Sequence, residues 1–259
     1  MSRGFEIFNI HIQYYSLFIL LGVILAYIII MMESKRLKIN SMFMDNVVFY
    51  GLLFGILGAR IHYVLFNLDF YLNNLSEIIK IWHGGLAIHG GIIFGSLFVY
   101  FYSKKYKESF IKLTDIILPG VILAQGIGRW GNFFNQEAFG SMVSKELLEK
   151  LFIPKFIING MHINGNYYLP TFYIESILCI LGFIIMLIIR KNKNIKRGYL
   201  TSFYLIWYGI VRLFIEYFRL DSLMLGSIKV AMLISFILII LGIVLLFISK
   251  KKNILYKEN

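Results

Sequence analysis

Charge is scarce in this sequence. Asp, Glu, Lys and Arg together make up 15% of its 259 residues, 59% are hydrophobic, and the mean hydropathy is +0.75. That balance excludes a soluble domain of ordinary composition and identifies an integral membrane protein. There is one cysteine, Cys179, so no disulfide can form within the chain. Its apolar neighbourhood holds no His or Lys close in sequence, and it reads as a small core residue and not as a nucleophile. Proline is nearly missing, with three residues, while Phe (24), Tyr (17) and Trp (3) are plentiful. Long helices flanked by interfacial aromatics suit this pattern; a β-barrel needs short alternating segments and a polar lumen face. The expected fold class is all-α, a polytopic membrane protein. The first apolar run, from about residue 15 to 32, is too long for a typical signal-peptide core and lacks a small-residue cleavage site, so it is expected to be a retained span.

Acidic residues are outnumbered 14 to 26, a formal charge of +12. The distribution argues against nucleic acid as the partner. Sixteen of the 26 basic residues lie in four short segments, at 35–38, 104–112, 190–197 and 250–257, which are alternate connections between apolar runs. The positive-inside rule explains them without a ligand, and anionic lipid would be attracted to the same places. Seven runs are long enough to cross a bilayer, at about 14–32, 45–66, 84–103, 110–127, 170–190, 199–218 and 228–249. The basic segments then all face the cytoplasm, with the N-terminus outside and the C-terminus cytoplasmic. On the outer side lie 67–82, 128–169 and 219–227. The middle one carries SKELLEK and turn signals at Asn159-Gly160 and Asn164-Gly165, and is expected to fold as a small external cap. Without an internal repeat or a linker, residues 1–259 read as one membrane domain.

Three stretches carry more polarity than spanning requires. GIGRWGNFFNQEAFG, residues 126–140, puts Arg129, Asn132, Asn135, Gln136 and Glu137 directly after an apolar run, where ionisable groups need partners and mark function. It also fits G-x-G-x-x-G, but follows a helix and not a strand, so a dinucleotide site fails on context. In the second span, Arg60 and His62 follow Gly51, Gly55 and Gly58. The glycines permit close helix packing, and Arg60 calls for an anionic or carbonyl partner. In WHGGLAIHGG, residues 82–91, paired glycines stand on both sides of His89 and allow a partly unwound helix or close backbone approach. His83 and His89 are about 240° apart on a helix and have no third ligand at suitable spacing, so no metal site is expected. His83 reads as structural.

The sixth span, in YGIVRLFIEYFRLD (208–221), places Tyr208, Arg212, Glu216 and Arg219 within an arc of roughly 80°. Arg212 and Glu216 can pair along the helix. Two arginines against one glutamate leave a positive excess, so something anionic should face the stripe. With Arg129, Asn132 and His89, this equipment suits a phosphate diester, because guanidinium groups bind phosphate oxygens in a two-point fork. A phospholipid is the natural candidate.

WHGGLAIHGG, GIGRWGNFFNQEAFG and YGIVRLFIEYFRLD, in this order and within seven expected spans, resemble the prolipoprotein diacylglyceryl transferase family. Gln13 to Phe18 (QYYSLF), Asp115 with Pro119-Gly120, and Leu169 to Ser176 (LPTFYIES) align as well, so the likeness extends over nearly the whole chain. It differs at Leu169, Phe172 and Tyr173-Ile174, where the family usually has His, Gln and Leu-Tyr, and at Ser16, usually Gly. The resemblance implies transfer of a diacylglyceryl group from phosphatidylglycerol to the lipobox cysteine of bacterial prolipoproteins, with release of glycerol phosphate. It implies no cofactor, and prolipoprotein signal peptides, phosphatidylglycerol and the bilayer as partners. The enzyme is expected to be a monomer in the bacterial cytoplasmic (inner) membrane, with its site towards the outer leaflet. The family's functional positions fall on Tyr15, His89, Arg129, Asn132, Glu137, Gly140, Tyr208, Arg212 and Glu216. Of these, His89, Arg129, Arg212 and Tyr15 are the expected catalytic set. Arg129, Asn132, Glu137, Gly140, Tyr208, Arg212 and Glu216 are the expected phospholipid-binding set. The alternative from another class is a phospholipid or small-anion transporter, for which paired repeats with broken helices would be the sign.

Overall fold

In the computed structural model, residues 4–7, 10–220, 222–226 and 228–258 are described. Asp221, which closes the third motif, lies outside the described residues. Helices dominate: α1 (Tyr14–Arg36), α2 (Ser41–Leu65), α3 (Leu68–Asn73), α4 (Ile88–Lys105) and α5 (Phe110–Asn135) come first. They are followed by α6 (Lys145–Lys150), α7 (Lys155–Gly160), α8 (Thr171–Ile189), α9 (Tyr199–Phe218) and α10 (Val230–Lys252). Strands are short: β1 (Gly4–Ile7) pairs antiparallel with β2 (Ile10–Gln13), Gly4 opposite Gln13. A three-stranded sheet of β3 (Met142–Val143), β4 (His162–Ile163) and β5 (Asn166–Tyr168) has the order β3-β5-β4, and β6 (Met224–Leu225) pairs with β7 (Ile228–Lys229). The expected all-α membrane class holds. Among the described residues, five helices, α1, α2, α5, α8 and α10, are long and apolar enough to cross a membrane. Their outer faces carry exposed Leu, Ile and Phe, such as Leu20 and Ile24 of α1 and Ile240, Leu241 and Phe247 of α10, as a lipid solvent requires. The other two long helices are more polar, α4 through its glycines, His89 and terminal lysines, α9 through Arg212 and Glu216.

Two boundaries differ from the hydropathy reading. The fourth span, placed at 110–127, continues as helix to Asn135, so most of the 126–140 motif is the end of α5 and not the start of an outer segment. Apolarity stops there, but backbone hydrogen bonding does not, because neighbouring side chains satisfy the polar groups. The helix of the third expected span, placed from 84, begins at Ile88, since Gly84 and Gly85 take φ of 85° and 79° and form a turn.

The chain divides into two compact units, one of Met1–Ile30 with Thr114–Asn259, the other of Met31–Leu113. In the second unit, α2 and α4 run antiparallel through a glycine seam. A side chain at Gly58 would collide with Phe94, and one at Gly90 with the Gly58 carbonyl and His62. This is the close packing expected of Gly51, Gly55 and Gly58. Beyond α3, two 3₁₀ turns lead to the Gly84-Gly85 turn, and Arg60 holds this segment. Its Nε donates to Ile78 O (2.8 Å), Nη1 to Gly84 O (2.6 Å) and Gly85 O (2.9 Å), and Nη2 to Glu77 O (2.5 Å) and Lys80 O (3.3 Å). The guanidinium also lies 5.2 Å from the Tyr71 ring centroid. The partners are thus carbonyls. His83 is structural too, its Nδ1 2.7 Å from Glu77 Oε2. The Lys80 ammonium, and then His83, hold the Glu77 carboxyl below its usual range.

In the first unit, α1 packs antiparallel on α5, with Gly22 against Ala124 and Gly120 against Ala26. At one end of this unit, the buried Asp115 of α5 accepts from Gly198 N (2.5 Å), Thr201 N (2.7 Å) and Thr201 Oγ1 (2.7 Å), capping the start of α9. The tail after α10 returns to the same place: Arg197 N donates to Ile254 O, and Tyr256 N to Ile195 O, both at 2.9 Å. The basic segments after α8 and α10 therefore share one end. α1, antiparallel to α5, runs towards that end.

At the far end of α5, residues 136–170 form a compact cover. Phe133, Leu148, Ile157, Ile158, Met161, Leu169 and Phe172 bury one another, with Trp130 and Phe156 rings against them. SKELLEK becomes α6, capped where Ser144 Oγ accepts from Leu147 N. Asn164-Gly165 forms the two-residue turn between β4 and β5, with φ of 50° and 82°.

Candidate functional site

Arg129 lies in the last two turns of α5, and Glu175 on the first turns of α8 stands opposite it. Arg129 Nη2 is 2.8 Å from Glu175 Oε1. Arg212, in the last two turns of α9, reaches the other oxygen of the same carboxylate, Nη1 to Oε2 at 3.7 Å, and its Nη2 pairs with Glu216 Oε2 at 2.5 Å one turn on. Three helices thus contribute to an alternating row of Arg129, Glu175, Arg212 and Glu216. Both carboxylates are fully buried, with side-chain exposures of 2% and 1% against 23% and 15% for Arg129 and Arg212. The contacts are mostly charge to charge. Among the described residues, Glu175 Oε1, Glu216 Oε2 and Arg212 Nη1 lack an aligned hydrogen-bond partner.

The positive excess expected on the α9 stripe is therefore matched inside the protein. Glu175 is the anion facing both arginines, and sequence reasoning did not nominate it. The signal was present: it is the sole carboxylate of the apolar helix Thr171–Ile189, where an ionisable group calls for a partner. The stripe is also shorter than its helical period suggests. α9 ends at Phe218, and Arg219 takes an extended backbone (ψ 138°) bridged to Gly140, so it leaves the row. Lys229 closes the helix end instead, its Nζ donating to Glu216 O (2.7 Å) and Arg219 O (2.9 Å).

Of the other expected residues of this unit, Tyr208 and Asn132 adjoin the row. Tyr208 lies beside the Arg129 guanidinium and stacks on Tyr204, ring centroids 5.8 Å apart. Arg129 Nη1 donates to Asn132 Oδ1 (3.5 Å), whose Nδ2 donates to the exposed Glu137 Oε1 (2.9 Å), which also accepts from Asn135 Nδ2 (3.3 Å). This makes a bridge from the half-buried cation to the surface. Tyr15 packs on Gly131, where any side chain would run into its ring. Gly140 N donates to Leu169 O (2.9 Å), and a Cβ there would meet Thr171 and Leu169; its need is for closeness. Trp130 Nε1 donates to Ser176 Oγ (3.1 Å), fixing α5 to α8 beside the row. Cys179 is buried against Gly126, as expected of a core thiol.

His89 is not in this unit. It is exposed on the first turn of α4, its ring 6.4 Å from that of His62. Among the described residues, no group of three or more His, Cys, Asp or Glu is arranged to hold a metal ion.

A row of this kind can bind an anionic group through two guanidinium forks in a site shielded from water, where such contacts are strong. Residues 3–248 match the family described as prolipoprotein diacylglyceryl transferase. A phosphatidylglycerol–prolipoprotein diacylglyceryl transferase of Listeria monocytogenes serotype 4b (strain CLIP80459) is 45% identical over 226 residues, 87% of this chain and 81% of that protein. Proteins of the same name from Staphylococcus carnosus (strain TM300) and Staphylococcus aureus (strain MW2) are 44% and 46% identical over 229 residues. These matches cover 88% of this chain and 82% and 81% of theirs.

Proposed function

The chain belongs to the prolipoprotein diacylglyceryl transferase family, and from that membership we propose how its polar row performs the reaction. It transfers the diacylglyceryl group of phosphatidylglycerol to prolipoproteins. The acceptor is the thiol of the lipobox cysteine in the signal peptide, which explains why the enzyme needs no reactive cysteine of its own. The sulfur attacks the glycerol carbon that carries the phosphate ester. A carbon–sulfur bond forms, the carbon–oxygen bond breaks with its electron pair going to the phosphate oxygen, and glycerol phosphate leaves. Negative charge therefore grows on the phosphate, and stabilising it is the main task.

The observation that carries this reading is the convergence of Arg129 and Arg212, from two helices, on one shielded point. Arg129 and Arg212 hold the phosphate, and Tyr208 or Tyr15 orients the head group. Asn132 and Glu137 brace Arg129 or meet the glycerol hydroxyls, while Gly140 and Glu216 keep the clamp in shape. His89 takes or helps to take the thiol proton. A thiol of pKa about 8.5 needs only modest help.

We place all seven long helices across the bacterial cytoplasmic (inner) membrane as one membrane domain. The N-terminus and the cover at 136–170 are then outside and the C-terminus is cytoplasmic. The support is that the basic segments after α8 and α10 share the Asp115 end of α5, with Arg129 about 21 Å from Asp115 along that helix at 1.5 Å per residue. That puts the site towards the outer leaflet. One chain supplies both arginines, which suits a monomer. The transporter reading has no paired repeat behind it.

The activity is tested with purified protein, phosphatidylglycerol and a lipobox peptide. Mass spectrometry should find a diacylglyceryl adduct on the peptide thiol. No adduct, where a relative from Staphylococcus aureus works, would sink the reading.

A further inference from the structure

The clamp carries no surplus charge as it stands. Arg129 and Arg212 are balanced by Glu175 and Glu216 within a single unit. Glu216 has a local role, pairing with Arg212 one turn away on the same helix. Glu175 is different. It comes from α8, is buried, and reaches Arg129 with one oxygen and Arg212 with the other. Its contact with Arg212 is loose at 3.7 Å, and neither Glu175 Oε1 nor Arg212 Nη1 has an aligned hydrogen-bond partner among the described residues. A carboxylate held mainly by charge is easier to exchange for another anion than one locked in a bidentate fork. A phosphate group offers more acceptor oxygens to the same two guanidiniums.

We propose that Glu175 is the resident counter-anion of the clamp, replaced between Arg129 and Arg212 by the substrate's phosphate and returning as glycerol phosphate leaves. The proposal rests on the arginine clamp argued above. Glu175 forms and breaks no covalent bond; it is a positioning residue. In the empty enzyme it relieves the repulsion between two arginines in a medium of low dielectric constant. During turnover it competes with the phosphate, which weakens substrate binding and speeds departure of the product anion. Without that competitor, two arginines in a shielded site would hold glycerol phosphate too well. Part of the binding energy would then be spent on the ground state and the product instead of the transition state.

The test compares wild type with Glu175→Gln and Glu175→Asp in purified form, using phosphatidylglycerol, a lipobox peptide and added glycerol phosphate as inhibitor. For Glu175→Gln we expect KM for phosphatidylglycerol to fall several-fold, kcat to fall about tenfold, and inhibition by glycerol phosphate to tighten about fivefold. Glu175→Asp keeps the charge at a shorter reach and should be intermediate. A residue that merely braced the helices would instead give higher KM, weaker inhibition and earlier melting. Unchanged or weaker inhibition in a variant that melts like wild type overturns the proposal. If Glu175→Gln does not fold, Glu175→Asp decides by the same comparison; if neither folds, the carboxylate is structural and the proposal falls. Arg129→Lys is the control. Normal turnover and normal inhibition in that variant would locate the failure in the clamp itself and not in the counter-anion.

Discussion

Arg60 and Arg129 are both arginines in apolar helices, and they meet their charge in opposite ways. Arg60 spends all of its donors on five backbone carbonyls and serves the fold. Arg129 faces a carboxylate that an anionic ligand can replace. Sequence alone says that each needs a partner, because an unpaired cation in lipid is costly. It does not say which kind, because the partners lie 17 to 25 residues away in one case and 46 in the other, and helix packing selects them. Glu175 went unnoticed for that reason, whereas Arg212 with Glu216 was legible from a spacing of four. His89→Gln should lower turnover by about a hundredfold at pH 7 to 8, the scale of a lost general base. Initial rates of peptide modification check this, and most of the activity surviving would remove His89 as the essential base.

Elements were legible wherever one physical signal dominated. The helix expected at 199–218 is α9, with those bounds. The Asn164-Gly165 turn follows from residues that accept positive φ, and the α2 glycines from their need to approach α4. The signals failed where two competed. α5 outlasts its apolar run because Glu175, Ser176 and Glu137 satisfy Arg129, Trp130 and Asn132, and α4 starts late because Gly84 and Gly85 turn. Two predictions belong here. Arg60→Met deprives five carbonyls of their donor and should cost about 3 kcal/mol or more. It should also raise hydrogen exchange across 77–85. Gly58→Leu should drive α2 from Phe94 and lower the melting temperature, an overpacking cost of about 1–3 kcal/mol; wild-type melting would contradict the glycine seam.

For the whole molecule, composition sufficed for class and the charge pattern for a proposed orientation. Membrane proteins make both legible, since lipid tolerates few architectures and the translocation of basic segments is disfavoured. The division into two compact units was not legible, because it follows contact density and no linker marks it. Orientation is open to a direct check. In a Cys179→Ala background, an impermeant thiol reagent should label Asn73→Cys in intact cells, and Lys251→Cys only after lysis. The reverse pattern would invert the proposed topology.

If Arg129 and Arg212 form a phosphate clamp, Arg129→Lys should disable it. Lysine keeps the charge but loses the planar fork. Measured by mass spectrometry of the lipobox peptide, with folding verified by melting, turnover should fall at least about a hundredfold, roughly 2.7 kcal/mol of transition-state stabilisation. Near-normal turnover in a folded Arg129→Lys variant would contradict the clamp.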